Sequence, residues 1–97
     1  MGLAFEWDEQ KAKENKRKHG VTFEEASTVF ADPLSRTIHD PLHSEGEDRY
    51  VILGQSHRRR LVVVVFTERG EKIRIISGRP ASRRERKDYE EGSEDQS

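Results

Sequence analysis

The sequence predicts an α+β fold, in which a small antiparallel sheet of about four or five strands carries two N-terminal helices and one C-terminal helix. Two stretches of helix-forming residues near the N-terminus each follow a capping residue. Four apolar or alternating stretches then follow one another, with turn residues between them. A capping box from Ser82 to Glu85 opens the last helix. This order predicts one domain over residues 1–91, with the helices packed on the sheet.

The first two elements are a short strand and a helix. Residues 3–7 alternate apolar and polar side chains, as a half-buried strand does. Asp8 is a suitable N-cap, and residues 9–19 contain many strong helix formers and neither Pro nor Gly. Gly20 then stands where a helix C-cap favours a residue that tolerates positive φ. We expect this helix to lie on the surface, because its apolar face is thin.

The remaining elements follow from turn and capping signals. A capping box at Thr22 starts the second helix, which we expect to end near Phe30, before a proline. The last helix is expected to end near residues 89–91, and the acidic residues 92–97 are predicted to form a disordered tail. The run at 61–66 is apolar throughout and predicts a central strand covered on both faces. The four strands of this series are expected at 35–40, 49–54, 60–67 and 72–77.

Length and composition exclude several classes of protein. Ninety-seven residues without cysteine form one modest core, with neither disulfides nor a thiolate metal site, and this composition fits a reducing cytoplasm. No apolar run reaches the roughly 18 residues that a membrane span needs. The first eight residues are too short and too acidic to be read as a signal peptide.

Charge is segregated along the chain although the net charge is only −1. Residues 1–54 carry a net charge of −4, residues 55–87 carry +8, and residues 88–97 carry −5. A basic block of this size repels itself unless an anionic partner uses it, although a solvated surface is the simpler alternative.

Arginines are expected to meet at one end of the sheet. A hairpin around Gly70 would place Arg60 beside Gly78 and Arg79, and the helix N-terminus at Ser82 would add backbone donors. Arginine suits phosphate because its planar fork donates two parallel hydrogen bonds. The pattern therefore predicts a phosphate-binding site formed by three elements.

Cleavage of RNA by its own 2′-hydroxyl would require a proton acceptor, a proton donor and stabilisation of negative charge. Glu85 could accept a proton, but the same residue completes the capping box. His19 could act as an acid or base, or only as a cation at a helix C-terminus. Tyr89 lies one turn beyond Glu85 and is either an aromatic packing residue or a proton donor. Residues 39–43 contain two histidines and an aspartate, but a solvated loop explains them better than a metal site.

Several motifs together resemble the BrnT family of bacterial toxins. They cover about residues 5–90 in matching order and spacing. They are Phe5-Glu6-Trp7-Asp8, Lys18-His19-Gly20-Val21, Phe23-Glu24-Glu25-Ala26, Asp32-Pro33 and the strand-to-helix segment Ile73-Arg74-Ile75-Ile76-Ser77-x-Arg79-x-Ala81-x-Arg83-x-Glu85. Gly78 departs mildly from the strand-to-helix motif of the family, in which another small residue, often Ala, is expected at this position.

The resemblance implies a RelE-like ribonuclease fold, RNA cleavage without a metal or other cofactor, and inhibition of translation. It also implies a complex with a BrnA-like antitoxin, whose ribbon-helix-helix part binds operator DNA. The predicted catalytic residues are Arg79, Arg83, Glu85, His19 and Tyr89. The predicted RNA-binding residues are Lys18, Arg58, Arg60, Arg74 and Arg84.

Two other functions are compatible with the same residues. A non-catalytic nucleic-acid-binding module would use the arginines and show steep salt dependence without cleavage. A protein-interaction module would instead use an apolar sheet face that three short helices leave uncovered.

Overall fold

The computed structural model describes residues 3–41 and 46–95 and shows a five-stranded sheet with helices on both faces. The helices are α1 (Glu9–His19), α2 (Phe23–Thr28), which continues into a 3₁₀ turn at Val29–Ala31, and α3 (Arg83–Asp95). The strands are β1 (Ala4–Glu6), β2 (Arg36–Asp40), β3 (Arg49–Gln55), β4 (Leu61–Arg69) and β5 (Lys72–Pro80). The predicted α+β class, with about five strands, two N-terminal helices and one C-terminal helix, is confirmed.

The sheet is mixed rather than purely antiparallel. Its strand order is β1-β5-β4-β3-β2, and β1 lies parallel to β5, whereas all other pairs are antiparallel. The chain leaves β1 through two helices and returns beside it only in its last strand, so the pairing does not follow from a chain of hairpins. Strand β4 is central, as its apolar sequence predicts.

The core lies between the sheet and the two N-terminal helices. Alternation along the strands sends one set of side chains toward α1 and α2 and the other set toward α3. The buried apolar cluster consists of Val21, Phe23, Ala26, Val29, Ile52, Val62, Val64, Phe66 and Ile75. Val63 is also buried, at 3% exposure, but it alternates with Val62 and Val64 and therefore belongs to the α3 face.

Helix α1 has the predicted bounds and caps. The Asp8 side chain accepts the Lys11 N–H at 3.0 Å, and Gly20 adopts φ 71° at the C-cap. In α2, the Thr22 hydroxyl accepts the Glu25 N–H at 3.0 Å. Helix α3 continues to Asp95, past the predicted end near residues 89–91, so the first four residues of the expected tail are helical. The single-domain boundary stays a prediction.

Gly78 is where α2 approaches β5 most closely. A Cβ at this position would lie 3.3 Å from both the Ala26 Cβ and a methyl group of Val21. Contacts this short leave little space for even an alanine, which explains the glycine at this motif position. The tight approach fixes β5 against the helices one residue before Arg79.

Candidate functional site

Arg79 and Glu85 form a two-point ion pair where β5 ends and α3 begins. The two guanidinium Nη atoms of Arg79 each donate to one carboxylate oxygen of Glu85, both at 2.8 Å. The Ser82 N–H donates to the same carboxylate at 2.8 Å, while the Ser82 hydroxyl accepts the Glu85 N–H at 3.2 Å. The predicted capping box is therefore present, and its acid also orients Arg79.

The carboxylate of Glu85 is strongly stabilised in its charged form. Hydrogen bonds from Arg79, and then from Ser82, lower the pKa of Glu85 to about 2, against the opposing effect of burial. The same pair raises the pKa of Arg79. An acid with so low a pKa is a weak proton acceptor at neutral pH. The arrangement suits Glu85 to hold Arg79 in place rather than to move a proton.

The register of the last hairpin differs from the prediction. Arg79 lies opposite Val63, and the strands meet at Arg69 and Lys72 across a two-residue turn. A register shift between Val65 and Phe66 displaces the pairing further. Because the turn is also centred about one residue later in the chain than expected, Arg60 lies beyond the paired region and does not face Gly78 or Arg79.

Arg60 instead forms an ion pair with a buried acid. Its Nε and Nη2 atoms donate to the two carboxylate oxygens of Glu25 at 2.7 and 2.6 Å, and the Ser56 hydroxyl donates to the same carboxylate at 2.7 Å. Glu25 is only 1% exposed, and Arg60, followed by Ser56, lowers its pKa. The Arg60 Nη2 also donates to the carbonyl of Gly20 at 2.7 Å. Arg60 therefore ties the start of β4 to the end of α1 and to α2.

Three segments nevertheless meet at this end of the sheet. The Ala81 N–H donates to the Leu61 carbonyl at 2.9 Å, which places the β3–β4 turn beside the start of α3. The bond from Arg60 brings the C-terminus of α1 to the same end. The β3–β4 turn and the start of α3 are adjacent as expected, but α1 joins them in a way that the sequence did not predict, and Arg60 turns away from Arg79 to Glu25. The phosphate-binding site at this end stays a prediction.

Exposed cations lie on these segments, at the end of the sheet that carries the Arg79–Glu85 pair. None of their side chains makes a hydrogen bond or ion pair with another residue in 3–41 or 46–95. Arg59 adopts φ 64°, an uncommon conformation outside glycine, in the β3–β4 turn. These cations are Lys18, Arg58, Arg59, Arg83 and Arg84.

His19 and Lys18 line a shallow cavity of about 280 Å³ between α1 and β5, together with Ile76 and Ser77. Asn15 fixes this part of α1 against β5. Its amide accepts the Gly78 N–H at 3.1 Å and donates to the carbonyls of Gly78 and Val21 at 2.8 and 2.9 Å. His19 is one helical turn beyond Asn15 and is therefore held near the strand that presents Arg79.

Tyr89 and Arg74 each bind an acidic residue outside the group of exposed cations. The Tyr89 hydroxyl donates to the Asp32 carboxylate at 2.7 Å, and burial followed by this bond raises the pKa of Tyr89 to about 12. Arg74 pairs with Glu6 of β1 at 3.1 Å. It stands five residues before Arg79, about 16 Å along the strand, so it lies outside the cluster of cations.

Asn15 and Glu25 are the two residues of this region whose importance sequence reasoning missed. Asn15 appears in the sequence only as a polar interruption of a thin helical face, and Glu25 as the acid of a capping box. The Glu25 carboxylate turns inward to Arg60, 35 residues later. No local pattern signals contacts at such separations.

The α3 face of the sheet carries an apolar groove of about 320 Å³, lined by Ile38, Val51, Leu53 and Val63 and bordered by charged side chains. Ile38 is 65% exposed, so part of the uncovered apolar face predicted from the sequence is present.

In the described part of the chain, no three histidine, cysteine or acidic residues come together as metal ligands. Leu42 and His43 lie outside the described residues, while His39 contacts Asp48 at 3.1 Å. Among the described helices, none is long and apolar enough to cross a membrane.

The chain is similar to a known protein family and to solved structures. Residues 7–85 match the family model of the ribonuclease toxin BrnT of type II toxin–antitoxin systems. The crystal structure of the Brucella abortus ribonuclease toxin BrnT is 25% identical and covers 84% of this chain and 100% of its own, with a TM-score of 0.61. No curated protein matches the chain.

Proposed function

This chain belongs to the BrnT family of ribonuclease toxins of type II toxin–antitoxin systems, and on that premise we propose that it cleaves RNA with Arg79 as the main transition-state stabiliser. The observation that supports this most is the two-point pair with Glu85, which orients Arg79 at a junction where segments that carry exposed cations meet. A preorganised cation needs no reorganisation when charge develops on the phosphate.

The proposed reaction uses no metal or other cofactor. The 2′-oxygen of one nucleotide attacks the adjacent phosphorus, and the bond from phosphorus to the 5′-oxygen of the next nucleotide breaks. The 2′-hydroxyl loses its proton and the leaving oxygen gains one, so the products end in a 2′,3′-cyclic phosphate and a 5′-hydroxyl. Arg79, assisted by Arg83 on the first turn of α3, neutralises the negative charge that develops on the phosphoryl oxygens.

His19 is the proposed proton-transfer residue. Its ring is half-buried beside the cavity between α1 and β5, and Asn15 couples its helix to the strand of Arg79. A neutral imidazole has one nitrogen that donates a proton and one that accepts a proton. Glu85 and Tyr89, which the sequence marks as catalytic candidates, are instead assigned to positioning, because one binds Arg79 and the other binds Asp32.

RNA binding is proposed to use the exposed cations Lys18, Arg58, Arg59 and Arg84. They lie on three segments around Arg79, so a single strand can contact several of them as it crosses the site. Arg60 and Arg74 are left out of this proposal, because the Nε and Nη2 of Arg60 donate to Glu25 and Gly20 and because Arg74 lies about 16 Å from Arg79 along the strand. Arg79 makes its bonds within residues 3–41 and 46–95 through Nη1 and one N–H of Nη2, so its Nε and the second Nη2 N–H can donate to a phosphate.

The toxin class implies a protein antitoxin as partner. We propose a BrnA-like ribbon-helix-helix protein, through which the complex reaches operator DNA, and action in the cytoplasm, where the RNA substrate is translated. Co-expression with a neighbouring ribbon-helix-helix gene should abolish growth inhibition and yield a stable complex on purification.

The purified protein, treated with EDTA, should cleave a single-stranded RNA. It should not cleave an otherwise identical strand that has a 2′-deoxy nucleotide at the cleavage position. Analysis of the product ends should show the cyclic phosphate. Binding without cleavage would instead indicate a passive nucleic-acid module, and a requirement for added divalent cation would contradict the proposed mechanism.

A further inference from the structure

Strand β2 forms an open edge of the sheet. It is the last strand in the order, and within residues 3–41 and 46–95 its one paired neighbour is β3. Its residues 36–39 are exposed, and Ile38 at 65% is more exposed than Leu3 or Leu34, the other large apolar residues at the surface of the described chain. An uncovered edge with an apolar side chain is a template for pairing with another strand.

The sequence of β2 is complementary to itself in charge. Arg36-Thr37-Ile38-His39-Asp40 begins with a base, ends with an acid and has its apolar residue at the centre. If two copies align antiparallel about Ile38, Arg36 of each copy lies opposite Asp40 of the other. We propose that a second copy of this chain pairs at this edge, joining the two sheets into one continuous sheet with two-fold symmetry.

The rows of side chains across the sheet support this pairing. Asp40 lies opposite Arg49 on β3, so the Arg36 of a second copy would place the Asp40 carboxylate between two arginines. Arg36 lies opposite Leu53 and donates from Nη1 to the Asp88 carbonyl at 3.2 Å. A guanidinium has five N–H donors, so that bond leaves others for a carboxylate.

The apolar side chains extend in the same way. Ile38 lies opposite Val51, and Val51 lies opposite Val65, so these three side chains form a row on the α3 face. A second Ile38 directly opposite the first continues this row into the other copy. Cross-strand pairs of β-branched residues are favourable in a sheet. The pairing covers both Ile38 side chains at once, whereas Arg79 lies three strands away from this edge, on β5.

The interface is small, because each copy contributes one strand of five residues. It falls at the weak end of specific protein contacts, so we expect a reversible dimer that forms at high micromolar protein concentration. This inference is independent of the catalytic proposal, since no residue of β2 takes part in cleavage.

Sedimentation equilibrium of the full-length protein, up to about 1 mM, tests the proposal. The apparent mass of the wild type should rise from the 11.3 kDa monomer toward twice that value. Arg36→Asp and Asp40→Arg should each remain monomeric, because each places like charges opposite one another in both ion pairs. A mixture of the two variants should associate, since one carries two acids where the other carries two bases.

Arg69→Ala, on the central strand β4 two strands away from the β2 edge, is the matched control and should dimerise as the wild type does. A wild type that stays monomeric at every concentration overturns the proposal. An edge strand that pairs only with the antitoxin would give this result. Self-association of either single variant at the wild-type level, or failure of the two variants to associate when mixed, also overturns it. Circular dichroism of each variant establishes that it is folded before its mass is interpreted.

Discussion

Arg79 and Glu85, six residues apart, meet across the junction of β5 and α3 with both guanidinium–carboxylate bonds at 2.8 Å. The pair joins a strand end to the first turn of a helix, and Ser82 fixes the carboxylate from a third direction. In the proposed mechanism, Glu85 holds Arg79 in position and does not act as a general base. The two roles predict different cleavage rates when Glu85 is replaced.

Glu85→Gln should lower the cleavage rate only partly. The amide oxygen of glutamine can still accept the Ser82 N–H and one Arg79 N–H, but it loses the second bond and the charge. If Glu85 were the general base, the substitution would remove most of the rate, typically 10²- to 10⁴-fold. Single-turnover cleavage measured beside Glu85→Ala separates these cases, and a complete loss with glutamine contradicts a positioning role.

The stability of the protein should depend on Glu85 at low pH. Folding lowers the pKa of this carboxyl from its ordinary 4.5 to about 2. Its stabilising effect is therefore complete above about pH 4.5 and is lost as the pH falls toward 2. Thermal melts over this range should show a steeper loss for the wild type than for Glu85→Gln. Parallel curves for the two proteins would show that the ion pair does not contribute to folding.

Arg60→Ala should mainly destabilise the fold. It leaves the Glu25 carboxylate buried without its cation, and because the Arg60 side chain is 35% exposed, water offsets part of the loss. We expect a decrease of about 2–3 kcal/mol in the free energy of unfolding, measured by urea denaturation. Arg69→Ala removes a more exposed pair with Glu47, whose attraction is screened by water, and should lower the free energy of unfolding much less. Equal effects of the two substitutions would contradict the structural role of Arg60.

Arg58→Ala, unlike Arg60→Ala, should leave the stability of the fold unchanged and weaken RNA binding. The side chain is exposed and unpaired among the described residues, so stability should stay unchanged. RNA binding should weaken at low salt. The logarithm of the association constant, plotted against the logarithm of salt concentration, should have a slope whose magnitude is smaller by roughly 1, as expected for the loss of one phosphate contact. Filter binding over a salt series measures this slope. An unchanged slope would place Arg58 outside the RNA path.

Tyr89→Phe should lower stability and leave cleavage unchanged. The substitution removes the hydroxyl bonded to Asp32 at 2.7 Å, a loss of about 1 kcal/mol. Asp32 keeps the bonds that it accepts from Gln55 and Leu34. Loss of cleavage at unchanged stability would return Tyr89 to the catalytic residues.

Local signals predicted the fold well. Caps at Asp8, Thr22 and Ser82 are each confirmed by a hydrogen bond from the backbone three residues later. The central strand β4 followed from its apolar run, because burial on both faces leaves no polar alternation. These features depend on residues a few positions apart, which a sequence displays directly.

Contacts between distant residues escaped prediction. A two-residue turn and a register shift moved Arg60 away from Arg79, and an error of a few residues in register changes every cross-strand partner. The parallel pairing of β1 with β5 and the bond of Tyr89 to Asp32 likewise depend on how separate elements pack. Such contacts decide how many N–H donors of each arginine are left to bind RNA, since the five donors of a guanidinium are divided between its ion pair and its ligand.

The most direct test of the proposed mechanism is the single-turnover rate of RNA cleavage by Arg79→Ala, with Arg69→Ala as a control that also loses an ion-paired arginine. Loss of a preorganised charge-stabilising donor predicts a rate decrease of roughly 10²- to 10³-fold for Arg79→Ala. The control should cleave at the wild-type rate, and both variants should remain folded. Cleavage by Arg79→Ala at the wild-type rate would contradict the assignment of Arg79 as the residue that stabilises the transition state.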